Sequence, residues 1–547
     1  MKMTVLKRIF EQNYFLIFVF ALIFLFKIVM LPYWNVYGDS FYYILTNKHT
    51  FNDAESMSLS LNFYLANLIG GAFLQIWQGS ELYGLRFFQI VNDFVLLIGL
   101  CKLYDKIIKN RYVQLGLLIP VVSFYYRPME FYYDSLSVTF AVWILYFFVN
   151  GFEKGSYKKI AISGFLVGIN IFVRTPNLVY LGLGFLLVLF CFFCKKSIRK
   201  HLQAFFCGTL VGVFVVVMLM LSLGHLGAYI VGLKSLVGVA ESGAESHNMA
   251  SMIMVVLYFL KMTVIYGGAL GLFWILLRFI DVRFKSYSNW QRILSVVLVF
   301  FLGAFVLFLF YGVRWIVFLY SVHVLALLFY LYRNRDLKSA FACLSVVYMV
   351  FVIPLGSDMY LETVGYYALY LSTPLVVYVI VNEIRRYNLM PAKLFCLFFF
   401  LLFVYRVGDN IQNTVSGKQY EIDNKTIGGI KITKEQFKQY SELNTISQYI
   451  DKDKCLAVPS TSDLYIVNYA SVSPFVLRVR NWHSADRVYN EMQKAYARNK
   501  QLPIVIVEHY SSDAENSELR FVKSYNDSYY LVYKSEAYSV YKPVKGK

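Results

Sequence analysis

The stretch Gln203-Ala-Phe-Phe-Cys-Gly-Thr-Leu-Val-Gly-Val-Phe-Val-Val-Val-Met-Leu-Met-Leu-Ser-Leu223 carries no charged residue, and Lys195, Lys196, Arg199 and Lys200 stand just before it. A helix needs about 20 apolar residues to cross the hydrocarbon core of a bilayer. Lys and Arg collect at the cytoplasmic ends of such helices. The stretch therefore reads as a membrane span that starts at the cytoplasmic surface. Comparable stretches lie near 12–31, 85–104, 112–126, 134–150, 160–174, 177–194, 255–279, 293–311, 315–332, 339–355, 364–382 and 393–406, so about 13 spans are expected.

Composition agrees with this reading. The chain has 547 residues, of which 58% are hydrophobic and only 16% charged. A soluble domain is usually about 45–50% apolar and about 25% charged. The net charge of +19 would suggest nucleic acid in a soluble protein, but here the cations fall in short runs between apolar stretches. Such runs face anionic lipid, and no nucleic-acid partner is expected. The seven cysteines form no disulfide framework, since six lie in or beside apolar stretches and Cys455 stands alone in the tail. The basic start has no small-residue cleavage site after it, which predicts a retained first helix.

Basic clusters recur in every second connection: Lys102/Lys106/Lys109/Arg111, Lys154/Lys158/Lys159, Lys195/Lys196/Arg199/Lys200, Arg283/Lys285/Arg292, Arg333/Arg335/Lys338 and Arg385/Arg386/Lys393. The alternation puts the N-terminus in the cytoplasm, and an odd number of spans puts the tail outside. The expected architecture is an all-α polytopic membrane domain over 1–406, with interfacial helices near 40–84, and a small extracytoplasmic α/β domain over 407–547. In that tail, Thr433 and Gln436 form a capping box ahead of Phe437, Tyr440, Leu443, Ile446 and Ile450. Short buried strands are expected at Cys455–Val458 and Ile504–Val507, a helix from Ser484 to Arg498, and a hairpin or meander over Leu519–Tyr541.

Acids and arginines gather in the connections assigned to the outside. Asp39 lies in Tyr37-Gly-Asp-Ser-Phe-Tyr-Tyr43. Arg127, Glu130 and Asp134 share one short connection. Arg174 precedes Thr175-Pro176, Arg314 lies at another turn, and Asp358 and Glu362 at a further one. Each has an ordinary reading as a cap or an interfacial side chain. Asp93, Lys261 and His323 fall within spans, and Asp93 is expected to be a packed, paired carboxylate.

Four stretches in order resemble the C-type multi-span glycosyltransferases, such as protein O-mannosyltransferases and the aminoarabinose transferase of lipid A. They are Gly38-Asp39-Ser-Phe-Tyr-Tyr43, Gly79-Ser-Glu-Leu-Tyr-Gly-Leu-Arg86-Phe, Tyr132-Tyr-Asp134-Ser-Leu, and Gly164-Phe-Leu-Val-Gly168 followed by Val173-Arg-Thr-Pro176. The resemblance covers roughly residues 30–180, and this chain has Ser40 where many relatives carry a second acid. It implies transfer of a sugar from a polyprenyl phosphate to a glycan, lipid or protein acceptor at the outer face of a bacterial cytoplasmic membrane. It implies Asp39 as base, with Asp134 as its rival, and Arg174, Arg127, Arg314 and Arg86 as ligands of the donor phosphate. Tyr42, Tyr43, Glu130, Asp358 and Glu362 are the expected contacts to acceptor or sugar. No metal-ligand spacing is found, so neither a metal nor another cofactor is expected in the chemistry. A polysaccharide polymerase or ligase shares these features. A flippase would place polar groups and broken helices near the midplane instead.

Overall fold

The structure, a computed structural model, describes residues 17–18, 20–34, 38–51, 63–108, 116, 129–241, 249–283, 315–334, 336–356, 361, 365–387, 404–405, 408–409, 411–451, 456–457, 475, 485–509 and 517–544. The expected spans 112–126, 293–311 and 393–406 lie outside the described residues, apart from 116, 404 and 405.

Helix α1 (Phe20–Met30) comes first. It is followed by α2 (Gly38–His49), α3 (Tyr64–Ile76), α4 (Glu81–Ile107), α5 (Tyr133–Lys154) and α6 (Tyr157–Asn170). A 3-10 segment, Thr175–Gly182, then runs straight into α7 (Leu183–Phe193). Next come α8 (Ile198–Ser222), α9 (Leu226–Glu241), α10 (Met249–Arg283), α11 (Trp315–Arg333), α12 (Leu337–Val352) and α13 (Gly365–Tyr387). Among the described residues, four helical stretches are long and apolar enough to cross a membrane: Glu81–Asp105, Tyr133–Lys154, Thr175–Phe193 and Ile198–Ser222. The expected span 160–174 is shorter than read. Its helix stops at Asn170, and Arg174 takes an extended conformation before Thr175-Pro176. Pro176 has no N–H to donate to the Phe172 carbonyl, so an α-helical ladder cannot run through it, and the break is written in the sequence.

Packing between α6 and α8 rests on four glycines. A Cβ added at Gly164 would lie 2.0 Å from the Phe205 carbonyl oxygen, and one at Gly168 would lie 2.2 Å from that of Thr209. Gly208 and Gly212 meet the carbonyls of Ala161 and Phe165 in the same way, at 2.0 and 2.3 Å. Two small-xxx-small faces thus let the backbones touch, the usual way helices pack where hydrocarbon removes the hydrophobic drive.

The tail folds as α14 (Lys434–Ser447), β1 (Leu456–Ala457), α15 (Ala485–Asn499), β2 (Ile504–Glu508), α16 (Ser517–Ser524), β3 (Tyr529–Lys534) and β4 (Tyr538–Pro543). The sheet order is β1-β2-β4-β3. β1 and β2 are parallel, and the other pairs are antiparallel. The capping box forms: Thr433 Oγ1 accepts from the Gln436 amide at 3.3 Å, and Gln436 Oε1 accepts from the Thr433 amide at 3.2 Å. The meander expected from Leu519 begins instead with α16, because Glu518, Phe521 and Val522 bury one helical face. Its hairpin starts only at Tyr529.

The sheet and α14 share a core with the helices beneath. Ile427, Ile430, Leu443, Ile504 and Val540 belong to the same buried cluster as Phe41, Ile44, Tyr64, Leu85 and Phe131. Backbone hydrogen bonds fix the contact, from the Glu81 amide to the Lys425 carbonyl, Leu82 to Thr426 and Lys431 to Pro32. The tail therefore sits on the end of the bundle where α1 stops and α4 starts.

The glycine seam gives a direct expectation. Gly168→Leu or Gly212→Leu forces α6 and α8 apart and costs at least the 1–3 kcal/mol typical of about one overpacked site. Gly227→Ala, where nothing lies within 4 Å, should be neutral. Thermal unfolding in detergent checks both; an unchanged midpoint in Gly168→Leu contradicts the seam.

Candidate functional site

Two acid–base pairs occupy the start of α5. Arg86, on the first turns of α4, is fully buried. Its Nη1 and Nη2 donate to the carbonyls of Leu31 (2.8 Å) and Trp34 (3.1 Å). Its Nε lies 3.9 Å from Glu130 Oε2. The other oxygen of Glu130 accepts the hydroxyl proton of Ser40. One turn on, Asp134 Oδ1 lies 3.5 Å from Arg174 Nε, with both side chains about 5% exposed. Arg174 Nη1 donates to the Ile353 carbonyl at the end of α12, at 2.8 Å. Asn177, in the 3-10 segment, steadies that corner by donating to Asn170 O at 3.1 Å and to Ser137 Oγ at 2.9 Å.

Aromatic rings line the same place. Tyr43 stacks on Tyr132 with centroids 4.9 Å apart, and Phe63 stacks on Tyr133 at 3.7 Å. Tyr132 also meets Tyr367 of α13 edge-on at 5.9 Å. The half-buried Tyr42 sits edge-on to Tyr43 at 5.9 Å. Burial of so many phenol rings beside charged groups gives a polar-edged apolar surface, suited to the flat face of a sugar.

The expected residues therefore divide. Arg86, Glu130, Asp134, Arg174, Tyr42 and Tyr43 converge on the ends of α2, α4, α5 and α12. Asp39 is the second residue of α2, next to the Ser40 that bonds Glu130, so its backbone belongs to this junction. The side chain of Asp39, and Arg127, Arg314, Asp358 and Glu362 altogether, lie outside the described residues. Arg86 has no solvent exposure and donates to two carbonyls, with its Nε facing Glu130. Glu130 is equally enclosed.

Reading residue by residue also missed several participants. Tyr132, Tyr133 and Phe63 build the aromatic wall, and the run Phe131-Tyr-Tyr133 beside an acid was the available signal. Asp93 is paired as expected, but its partner is Lys27, a cation inside α1 that the charge survey passed over. Gln89 donates to Asp93 Oδ1 at 2.7 Å. Lys418 reaches back from the tail to donate to the Tyr33 carbonyl at 2.6 Å. No local pattern marks it. His323, in α11, lies 3.3 Å from the Thr373 hydroxyl and 3.0 Å from the Leu319 carbonyl. Among the described residues no group of three or more His, Cys, Asp or Glu could hold a metal ion.

Comparison with known proteins bears on this geometry. Residues 64–222 match the family described as dolichyl-phosphate-mannose-protein mannosyltransferase. That stretch holds α3 to α8, and with them Arg86, Glu130, Asp134 and Arg174. The match supports a membrane-bound glycosyltransferase of the C type. The crystal structure of ArnT from Cupriavidus metallidurans bound to undecaprenyl phosphate is similar over 97% of this chain and 98% of that chain, with 10% identity and a TM-score of 0.44. No curated protein sequence matches the chain.

Lys418 supplies a pH test of the docking. Burial and the nearby Arg86 charge push its ammonium down to about 8 from an ordinary 10.5. A base depressed in the folded state gives up its proton there first. Between about pH 8 and 10.5 the unfolded chain then binds more protons, and stability rises with pH. The unfolding midpoint of the detergent-solubilised protein should climb between pH 7.5 and 9.5, and Lys418→Met should flatten that climb. A climb of the same size in the variant assigns it to another group.

Proposed function

We propose that the protein transfers a sugar from a polyprenyl-phosphate donor to an acceptor at the outer face of the cytoplasmic membrane, with inversion at the anomeric carbon. The observation that carries this reading is the Asp134–Arg174 pair, held at the ends of membrane helices, with Glu130 four residues before Asp134 accepting the hydroxyl of Ser40, the neighbour of Asp39 in α2. The family matched over 64–222 is named for a polyprenyl-phosphate sugar donor, and this chain's residues suit such a substrate.

The physical logic runs from the substrate. An isoprenoid chain stays in hydrocarbon, which sets its phosphate at headgroup depth. As the bond from the anomeric carbon to the phosphate oxygen breaks, polyprenyl phosphate leaves well if its developing charge meets cationic hydrogen-bond donors. Arg174 spends Nε on Asp134 and Nη1 on Ile353, and among the described residues its Nη2 has no partner. Asp134 thus orients the guanidinium, and Nη2 is the donor left for a phosphate oxygen. An acceptor hydroxyl is a weak nucleophile and needs a base as it attacks. Asp39 takes that role. Direct displacement with one base inverts the sugar carbon. The aromatic wall of Tyr43, Tyr132 and Tyr133 binds the sugar face. Arg86 and Glu130 hold the first turns of α4 and α5 together rather than touching substrate.

A transporter would need polar groups open to a path through the midplane. The intramembrane charges Lys27 and Asp93 are instead bound to each other and nearly buried. That favours chemistry at the rim.

Purified protein in lipid vesicles, given labelled polyprenyl-phosphate sugars and candidate acceptors, should release polyprenyl phosphate. General-base help is worth about 10²–10⁴-fold, so Asp39→Asn should lose at least about a hundredfold in turnover while keeping donor affinity. Asp134→Asn and Arg174→Lys should weaken donor affinity more than turnover, because a lysine cannot reproduce the planar fork. A dead Asp134→Asn beside an active Asp39→Asn exchanges the two roles.

The outer placement has its own test. Glu536 is exposed between β3 and β4. A Glu536→Cys, Cys455→Ala protein should react with an impermeant thiol reagent in intact cells. Reaction only after the membrane is broken puts the tail, and the site beneath it, on the cytoplasmic side.

A further inference from the structure

A chain of buried polar side chains leaves the proposed site and descends into the bundle. Asp93 of α4 is 7% exposed and is ion-paired with Lys27 of α1, 8% exposed. Its other oxygen accepts from Gln89 Nε2 at 2.7 Å. Gln89 Oε1 lies 2.7 Å from the hydroxyl of Ser135, which is also 2.8 Å from the Tyr132 carbonyl. Ser135 follows Asp134 directly. All four side chains sit in apolar surroundings, where an unsatisfied polar group costs several kcal/mol in an order-of-magnitude sense. A lysine and an aspartate inside spanning helices are costly enough to invite a reason.

We infer that Lys27, Asp93 and Gln89 are positioning residues for sugar transfer: through Ser135 they fix the first turn of α5 and so the carboxylate that orients Arg174. This rests on the proposed role of the Asp134–Arg174 pair. The chain has a direction. Lys27 Nζ and Gln89 Nε2 each meet one oxygen of the Asp93 carboxylate. That carboxylate forces the Gln89 amide to present its NH₂ group to Asp93 and its oxygen to Ser135. The Gln89 oxygen then competes with the Tyr132 carbonyl for the single Ser135 hydroxyl proton, and the bond to Gln89 ties the start of α5 to α4. A turn without this tie would still be helical, but its first residues would be free to shift. A shift of about 1 Å at a positioning group can cost on the order of a hundredfold in rate.

The alternative is that the chain only holds α1, α4 and α5 together. Two double variants separate the cases, since each removes both charges. Lys27→Met with Asp93→Asn keeps an acceptor for Gln89. Lys27→Met with Asp93→Leu does not. Both should fold, because neither leaves a lone buried charge. The first should recover turnover to within about threefold of the parent. The second should lose about tenfold or more in kcat with donor KM nearly unchanged. Gln89→Met, which keeps the ion pair, should behave like the second. Hydrogen exchange over residues 133–139 reads the positioning without any turnover: it should speed up in Gln89→Met and the Asp93→Leu double variant, and stay at the parent rate in the Asp93→Asn double variant. Equal kcat and equal exchange in the two doubles would falsify the inference. A parent protein that transfers no sugar, yet shows the exchange pattern, would leave the positioning standing and sink the proposed reaction. Faster exchange with unchanged kcat would show that the turn is held but is not needed for transfer, and would overturn the inference as well.

Discussion

Everything at the working end of this protein depends on seating two carboxylates against two arginines inside a packed, buried junction. Glu130 and Asp134 stand one turn apart at the start of α5, and each meets an arginine from a different helix end. Breaking such a pair from one side typically costs about 3–5 kcal/mol, because a lone charge stays behind. The pairs therefore act as registers. Arg86 sets the height of α4 against Leu31 and Trp34 at the end of α1, and against Glu130. Arg174 sets the broken end of α6 against Asp134 and the last turn of α12. A slip of one helix by a single turn would strand a charge in each case.

The two pairs are not equivalent, and the difference is where chemistry becomes feasible. Arg86 is fully buried, with two carbonyls bonded to its Nη atoms and the Glu130 carboxylate 3.9 Å from its Nε. Arg174 keeps one nitrogen uncommitted among the described residues. Its position explains why. The amide ladder of the helix ahead of it cannot run through Pro176, and the arginine lies in extended backbone between two elements.

Membrane architecture was legible in the sequence because lipid imposes a harsh and uniform rule. A run such as 203–223 has few alternatives to a spanning helix, and α8 runs from Ile198 to Ser222. Gly164 and Gly168 were visible as a small-residue pattern, yet their partners Gly208 and Gly212 emerge only once α6 lies against α8. Arg174 and Asp134 could be picked out because charges at span ends are few. Their mutual pairing could not be read, since 40 residues of chain separate them. Lys27 shows the converse: within a long apolar run it reads as a snorkelling side chain, and only the position of Asp93 on α4 reveals an internal partner. The helix at Ser517–Ser524 differs from the meander expected from Leu519 because Leu519 and Phe521 alternate with Arg520 in sequence, whereas the burial of Glu518, Phe521 and Val522 follows helical spacing.

The tail makes the site a closed problem rather than an open rim. Ser80, which precedes α4, donates its hydroxyl to the Gly428 carbonyl at 2.5 Å, and the Glu81 and Leu82 amides bond to Lys425 and Thr426. The first amides of a helix have no internal partners. Here the tail supplies their acceptors, so the start of α4, and Arg86 one turn further on, are capped by a segment more than 300 residues away in sequence. Lys48 adds an ion pair to Glu81 at 2.9 Å, linking the end of α2 to the same point. The last turn of α2 and the turn that bears Arg86 are thus tied to one cap. The tail is coupled to α2 and to the frame that holds α5 through backbone hydrogen bonds at Glu81 and Leu82 and the Lys48–Glu81 ion pair.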